Sequence, residues 1–362
     1  EVVRNDFFSY ISDIATPSKL RLQYNSWYDW MKKINETNIL TSFKEIERGL
    51  SQNGVSPLDS YVVDDGWNNY NTKDHIDPIE SGTTVNTAGF WVINDKFPNG
   101  LSTPSDFAHA ISSRFGVWLG PRGGYGTQAR LAQIIEEAGN GYINHDVAAT
   151  EIDVGSAKYG EKLTAFLSDW IKTYQVNYLK LDGWASRACS DASHDHAVGG
   201  TEGIYYYTDY WERYLDTFET LRSTAVSVGV DNLWLSLTCY VNPSPFFLQW
   251  ANSIWIQISG DVDYRKTTEQ DNLADQMLNY RDNVYYNFNN DFQFQFPQQA
   301  LYNHDPIYGQ TGTELKNSLN DDEFRAYLLM CGMRGNNLFE LYYSYDLLDE
   351  GEKWIINAEV IN

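Results

Sequence analysis

Carboxylates recur in this sequence at the ends of short apolar runs. Asp64 and Asp65 close SYVVDD, Asp182 closes YLKLD, and Asp261 and Asp263 follow SIWIQISG. Two carboxyl groups flanking one bond are what cleavage of a glycosidic linkage requires. One attacks the anomeric carbon and stays ionised, and the other gives a proton to the leaving oxygen. Lys180 stands two residues before Asp182 and so shares its strand face, because strand side chains alternate. Its ammonium favours the ionised carboxylate that a nucleophile needs. Asp182 is therefore the expected nucleophile and Asp261 the expected acid, with Asp263 as its competitor. Retention of configuration would place the two carboxyls about 5–5.5 Å apart. Asp64 and Asp65 are expected to accept from sugar hydroxyls. Trp27, Trp67, Trp118 and Trp184 lie beside these run ends, where an indole offers a flat apolar platform with a polar edge. Taken singly, each carboxylate could cap a turn or a helix. Their joint occurrence with the tryptophans points to a carbohydrate site.

These groups need a scaffold that gathers strand ends. Eight runs read as buried strands: 21–27, 60–65, 115–120, 178–182, 233–239, 253–259, 296–303 and 337–344. Helical patterns alternate with them near 38–51, 105–114, 127–138, 156–174, 207–228, 267–284, 321–331 and 347–358. Thr37 and Ser105-Asp106 are the expected caps for two of these helices. Eight strands, each followed by a helix, predict an α/β fold, a (β/α)8 TIM barrel, whose active groups sit at the C-terminal strand ends. An open doubly wound sheet is the alternative, but the sequence lacks its Gly-rich phosphate loop. No linker or repeat divides residues 1–362, so one catalytic barrel is expected. The abrupt start at Glu1 suggests excision from a longer multidomain protein.

The 12 Trp and 26 Tyr among 362 residues exceed what a core needs. A net charge of −23 argues against nucleic acid and anionic membranes and suits a neutral substrate. No stretch approaches the ~20 apolar residues of a membrane span. Three cysteines at wide spacing form neither a disulfide framework nor a zinc pattern. The compartment stays open, with a secreted or cell-surface location favoured over the cytoplasm. His194 and His196 in SDASHDHAVGG read as a solvated loop, not a metal site. No metal and no cofactor is expected, and the expected partner is a carbohydrate.

VVDDGW, YLKLDGW and SGDVD fall in an order and spacing that resembles the clan of retaining α-galactosidases and α-N-acetylgalactosaminidases. NSW near the start, FGVWLGP and Asn303-His304 resemble glycoside hydrolase family 36 most closely. The resemblance covers the whole barrel. It implies Asp182 as nucleophile, Asp261 as acid/base, Asp64 and Asp65 on O4 and O6, and Lys180 on O3 and O4. It implies Trp118 as an aromatic of the third strand and Cys239 beside the sugar's 2-position. Three departures stand out. Arg122 replaces the usual Glu after Pro121, Trp184 replaces the usual Asn, and Cys239-Tyr240-Val241-Asn242 replaces a Gly-rich stretch. The last resembles the variant associated with N-acetylgalactosaminidases. Asn242 carries both a donor and an acceptor for a 2-acetamido group. The expectation is therefore an α-N-acetylgalactosaminidase, with an α-galactosidase or a raffinose-synthase-like transglycosylase as alternatives.

Overall fold

The computed structural model describes residues 2–238, 241, 244–255, 296–302, 304–310 and 319–362. The strands are β1 (Arg21–Asn25), β2 (Ser60–Val63), β3 (Arg114–Leu119), β4 (Ile143–Asn144), β5 (Glu151–Ile152), β6 (Val176–Asp182), β7 (Trp234–Thr238), β8 (Ser253–Trp255), β9 (Leu301–Tyr302), β10 (Ile307–Tyr308) and β11 (Leu338–Tyr343). Nine of them form one parallel sheet in the order β10-β11-β1-β2-β3-β6-β7-β8-β9. The two ends of that order belong to one stretch of chain. β9 pairs with β8, and β10, four residues later, pairs with β11. Backbone bonds Asn337 N–Gln299 O and Glu340 N–Asp305 O, 2.8 and 2.9 Å, join the same two stretches. The ring therefore has eight strand positions, at the eight runs expected from sequence, and the architecture is the (β/α)8 barrel.

Strands buried on both faces read as nearly unbroken apolar runs, and the two faces have separate fates. Outward residues such as Tyr24, Tyr61, Val63, Val117, Leu179 and Leu181 pack under the helices. Inward residues Val62, Tyr178, Trp234, Trp255, Tyr302 and Leu338 fill the barrel interior. Gly116 on β3 makes that filling possible, because a Cβ there would meet Tyr178 and Val62 at 2.9 Å.

The helices present matching stripes. In α3 (Glu36–Gln52), Ile39, Phe43, Ile46 and Leu50 lie on one face. Phe43 packs its ring against Tyr24 and Tyr61. In α7 (Ile204–Ser227), Tyr206, Tyr210, Tyr214, Phe218 and Leu221 recur at helical spacing and are buried.

Several expectations need correction. The cap of α3 is Asn35, not Thr37, and it forms a reciprocal pair with Asn38. The helix expected from 105 begins at Ser102, so Pro104 sits in its first turn, where a missing N–H costs nothing. The last helical stretch is two pieces, Tyr345–Leu348 and Lys353–Ile361, divided around Gly351 at φ 64°. The helix Val2–Ile14 and the β4–β5 hairpin were not expected. The expected helix 267–284 and most of the sixth run beyond Trp255 lie outside the described residues.

Candidate active site

Parallel register places the inward groups row by row. Trp118 on β3 stands beside Lys180 on β6, and Asp182 stands beside Thr238 on β7. Asp182 closes β6 and is nearly buried, with 6% of its surface exposed. Both of its oxygens are engaged. Trp118 Nε1 donates to Oδ2 at 3.0 Å and the Tyr125 hydroxyl donates to Oδ1 at 2.9 Å. A carboxylate held by two donors is fixed in orientation.

One row inward, Lys180 Nζ donates to Asp64 Oδ2 at 2.8 Å, with both side chains 2% exposed. Tyr342 lies beside the same ammonium, with its hydroxyl at 3.5 Å and its ring centroid at 5.5 Å. Burial works against a charged lysine, but Asp64, Glu340 and Asp182 outweigh it and raise Lys180 above its ordinary pKa. Glu340 on β11 is fully buried and accepts from Gln23 at 2.7 Å, Asn25 at 2.9 Å and Tyr342 at 2.6 Å. The result is a chain of paired groups running from the barrel interior to its rim.

Asp65 turns away from Lys180. Its Oδ1 accepts from Gly66 N at 2.7 Å and from Tyr70 OH at 3.1 Å. Its Oδ2 is buried with no hydrogen-bond partner among the described residues. Burial, reinforced by Asp64 and opposed by Lys32, pushes its pKa up to about 6. A buried acceptor without a donor is costly, and a ligand hydroxyl would satisfy it.

The four tryptophans divide. Trp118 reaches the carboxylate. Trp27 is half-buried against Tyr28, Ile307 and Tyr342 at the rim. Trp67 is fully buried. It donates to Trp118 O at 2.9 Å and packs its ring 4.4 Å from that of Trp170. Trp184 is also fully buried. It donates to Leu181 O at 3.1 Å and packs against Trp211 and Tyr214. The structure thus places Trp67 and Trp184 behind the strand ends, where they hold Trp118 and Asp182 in position. Cys239, Tyr240, Asn242, Asp261, Asp263 and Asn303 lie outside the described residues.

Tyr125, Glu340 and Tyr342 join the site without having been expected there from sequence. Alternation was the available signal, because Glu340 and Tyr342 are two apart on β11 as Lys180 and Asp182 are on β6. Arg122 forms a buried ion pair with Glu151 at 3.1 Å, and its backbone N–H bonds Gly183 O at 3.4 Å. It thereby ties the loops after β3 and β6 together. A cavity of about 700 Å³ lies at the opposite end of the barrel, under the helix Val2–Ile14 and beside Leu248, Phe296 and Asn337. Among the described residues, no carboxylate lines it.

No family model matches the chain. A curated protein named α-galactosidase 2, from Pediococcus pentosaceus, is 22% identical over 323 residues, covering 81% of this chain and 39% of its own. A family 36 α-galactosidase from Geobacillus stearothermophilus, solved with stachyose, superposes with TM-score 0.63 at 13% identity, over 99% of this chain and 44% of its own. This chain therefore shares the (β/α)8 barrel fold of these α-galactosidases. The same fold is found in the Thermus thermophilus α-galactosidase solved with a nitrophenyl α-galactoside. That structure has TM-score 0.58 at 14% identity, with coverage of 99% and 65%. The chain spans about two-fifths of the length of the curated relative. No helix among the described residues is long and apolar enough to cross a membrane.

Proposed function

We propose that this barrel is the catalytic domain of a retaining α-glycosidase that releases terminal α-linked galactose from oligosaccharides. The observation that carries the proposal is the nearly buried Asp182 carboxylate, oriented by Trp118 and Tyr125 at the C-terminal mouth of the barrel. Asp182 attacks the anomeric carbon while Asp261 protonates the departing oxygen, which leaves a covalent glycosyl-aspartate. Asp261 then takes a proton from water as that water attacks the same carbon and frees Asp182. The Lys180–Asp64 pair and the unpartnered Oδ2 of Asp65 offer donors and acceptors for the sugar's remote hydroxyls. Trp27 at the rim offers an aromatic face. The relatives named α-galactosidases, one of them solved with stachyose, support galactose as the sugar.

A second reading, α-N-acetylgalactosaminidase, is favoured by the stretch Cys239-Tyr240-Val241-Asn242. A site built to bond an acetamido group discriminates strongly against its absence. Nitrophenyl α-galactoside and its N-acetyl analogue, assayed side by side, decide between the readings. Faster turnover of the plain galactoside is expected. No turnover of either would remove the glycosidase reading. A product mixture dominated by transfer at high acceptor-sugar concentration would instead indicate a transglycosylase.

A further inference from the structure

The loop that follows Asp182 contains a second cluster that the proposed glycosidase chemistry does not use. Asp153 follows the β4–β5 hairpin, and Cys189, His194 and His196 come from the loop between β6 and α7. One potential ligand atom from each of the four lies within 4.8 Å of all the others. His194 Nδ1 and His196 Nε2 both stand 2.7 Å from the same oxygen, Asp153 Oδ2, and Cys189 Sγ is 3.4 Å from His194 Nδ1. The Asp153 and His196 side chains are fully buried, that of His194 is 8% exposed, and Cys189 is 2% exposed. The stretch read from sequence as a solvated loop is therefore packed around a closed centre.

The surroundings decide what that centre prefers. The outer nitrogen of each imidazole faces an atom that only accepts. His196 Nδ1 lies 3.0 Å from Ala197 O, and His194 Nε2 lies 3.5 Å from Asp191 Oδ2. An outer N–H on each ring leaves the two inner nitrogens as lone pairs. Those lone pairs, with a thiol sulfur beside one of them, point at a carboxylate oxygen. Acceptors facing acceptors need a cation between them, either protons on both rings or a metal ion. Asp153 Oδ1 is already occupied by Tyr206 OH at 3.1 Å and Gly155 N at 3.2 Å, so Asp153 presents a single oxygen inward. Tyr142 stacks on His194, with centroids 4.3 Å apart and planes 10° apart. This is the outer support that fixes ligating imidazoles and carboxylates.

We propose that Asp153, Cys189, His194 and His196 bind a structural zinc ion that locks the loop after Asp182 onto the β4–β5 hairpin. Two imidazoles, one thiolate and one carboxylate suit a borderline-soft, four-coordinate ion, and a closed ligand set without an open position is the structural kind. With bonds of about 2.0–2.3 Å, a tetrahedron has edges of about 3.3–3.6 Å. The Cys189–His194 spacing already has that length, and the two 2.7 Å contacts would widen by roughly half an ångström.

The test is metal content and spectroscopy on the chain itself, independent of any glycosidase activity. Protein expressed with zinc and dialysed against metal-free buffer should retain about one zinc per chain. After stripping with a chelator, cobalt(II) should give the intense visible bands of a tetrahedral site and a thiolate-to-metal charge-transfer band. Cys189→Ser should abolish the charge-transfer band, and Cys331→Ser should leave it unchanged. Chelation should lower the unfolding temperature of the wild type by several degrees. Should Cys189→Ser fail to fold, the wild-type stoichiometry and cobalt spectrum still decide. No retained zinc, a weak octahedral cobalt spectrum, or an unaltered spectrum in Cys189→Ser would each overturn the proposal.

Discussion

Trp118 reaches past its own row to hold Asp182. Its register partner on β6 is Lys180, yet its indole Nε1 bonds the Asp182 carboxylate 3.0 Å away. Gly120 leaves the space for this, because a Cβ there would come within 2.8 Å of the Trp118 ring and 2.9 Å of Asp182 O. Trp67 in turn donates to the Trp118 carbonyl, so the reach is anchored from behind.

That geometry makes Trp118→Phe informative. The ring volume is largely kept and the donor is lost. A hydrogen bond to a charged group contributes about 1.5–3 kcal/mol, so kcat/KM should fall by about 10- to 100-fold. Asp182→Asn should abolish turnover altogether, because no covalent intermediate can form. Circular dichroism should show both variants folded. A Trp118→Phe enzyme within twofold of wild type would show that Tyr125 alone orients Asp182.

Lys180 is buried between Asp64 and Tyr342 with Glu340 close by. Lys180→Met leaves carboxylates buried without their cation, and breaking a buried pair costs about 3–5 kcal/mol. Urea denaturation should show a lower midpoint with an unchanged slope. Adding Asp64→Asn removes the stranded charge, so the double variant should recover part of the loss. A double variant as unstable as the sum of the two single changes would mean that the pair is not coupled.

Asp65 gives a pH signature. Its folded-state pKa of about 6 lies above the usual carboxylate value, so the folded form holds the proton more tightly than the unfolded chain does. Its contribution to stability is fully present below about pH 4 and is lost as pH rises through 6. Two units correspond to about 3 kcal/mol. Asp65→Asn should therefore gain stability relative to wild type between pH 4 and 7, while losing affinity for substrate. Asp29 is also buried and raised to about 6, so the difference between wild type and variant is the readout, not the wild-type curve. A difference that stays flat with pH would count against a raised Asp65.

The barrel was legible because parallel strands covered on both faces, such as SYVV and VNYLKLD, read as apolar runs ended by polar residues. The β4–β5 hairpin was not, since two-residue strands carry no period. The helix Val2–Ile14 buries only Ile11, which leaves too weak a stripe to read. Lys180 and Asp182 were placed on one face by alternation, and Asp64 was placed at the same rim as the end of another strand. Alternation could not separate Trp118, which faces inward, from Trp67 and Trp184 just past strand ends, where the chain turns back into the packing. The Asp153–Cys189–His194–His196 cluster was illegible for another reason. Asp153 lies 43 residues before His196, and only the tertiary fold closes that distance.

Asp261, the expected acid/base, lies outside the described residues. An acid matters most when the leaving group is poor. Nitrophenolate departs without a proton, whereas a sugar alkoxide does not. Asp261→Ala should therefore lose activity on raffinose-type oligosaccharides by orders of magnitude more than on a nitrophenyl glycoside. General-base help to water also disappears, so the glycosyl-enzyme should accumulate with the activated substrate and appear as a burst. Azide needs no base to attack, so it should speed turnover of the nitrophenyl substrate and yield a glycosyl azide. Retention predicts that this azide has the α configuration, because Asp182 has already inverted the centre once. Asp263 is the competing carboxylate. If Asp261→Ala damages both substrates equally and Asp263→Ala shows the skewed loss with azide rescue, the acid/base role passes to Asp263.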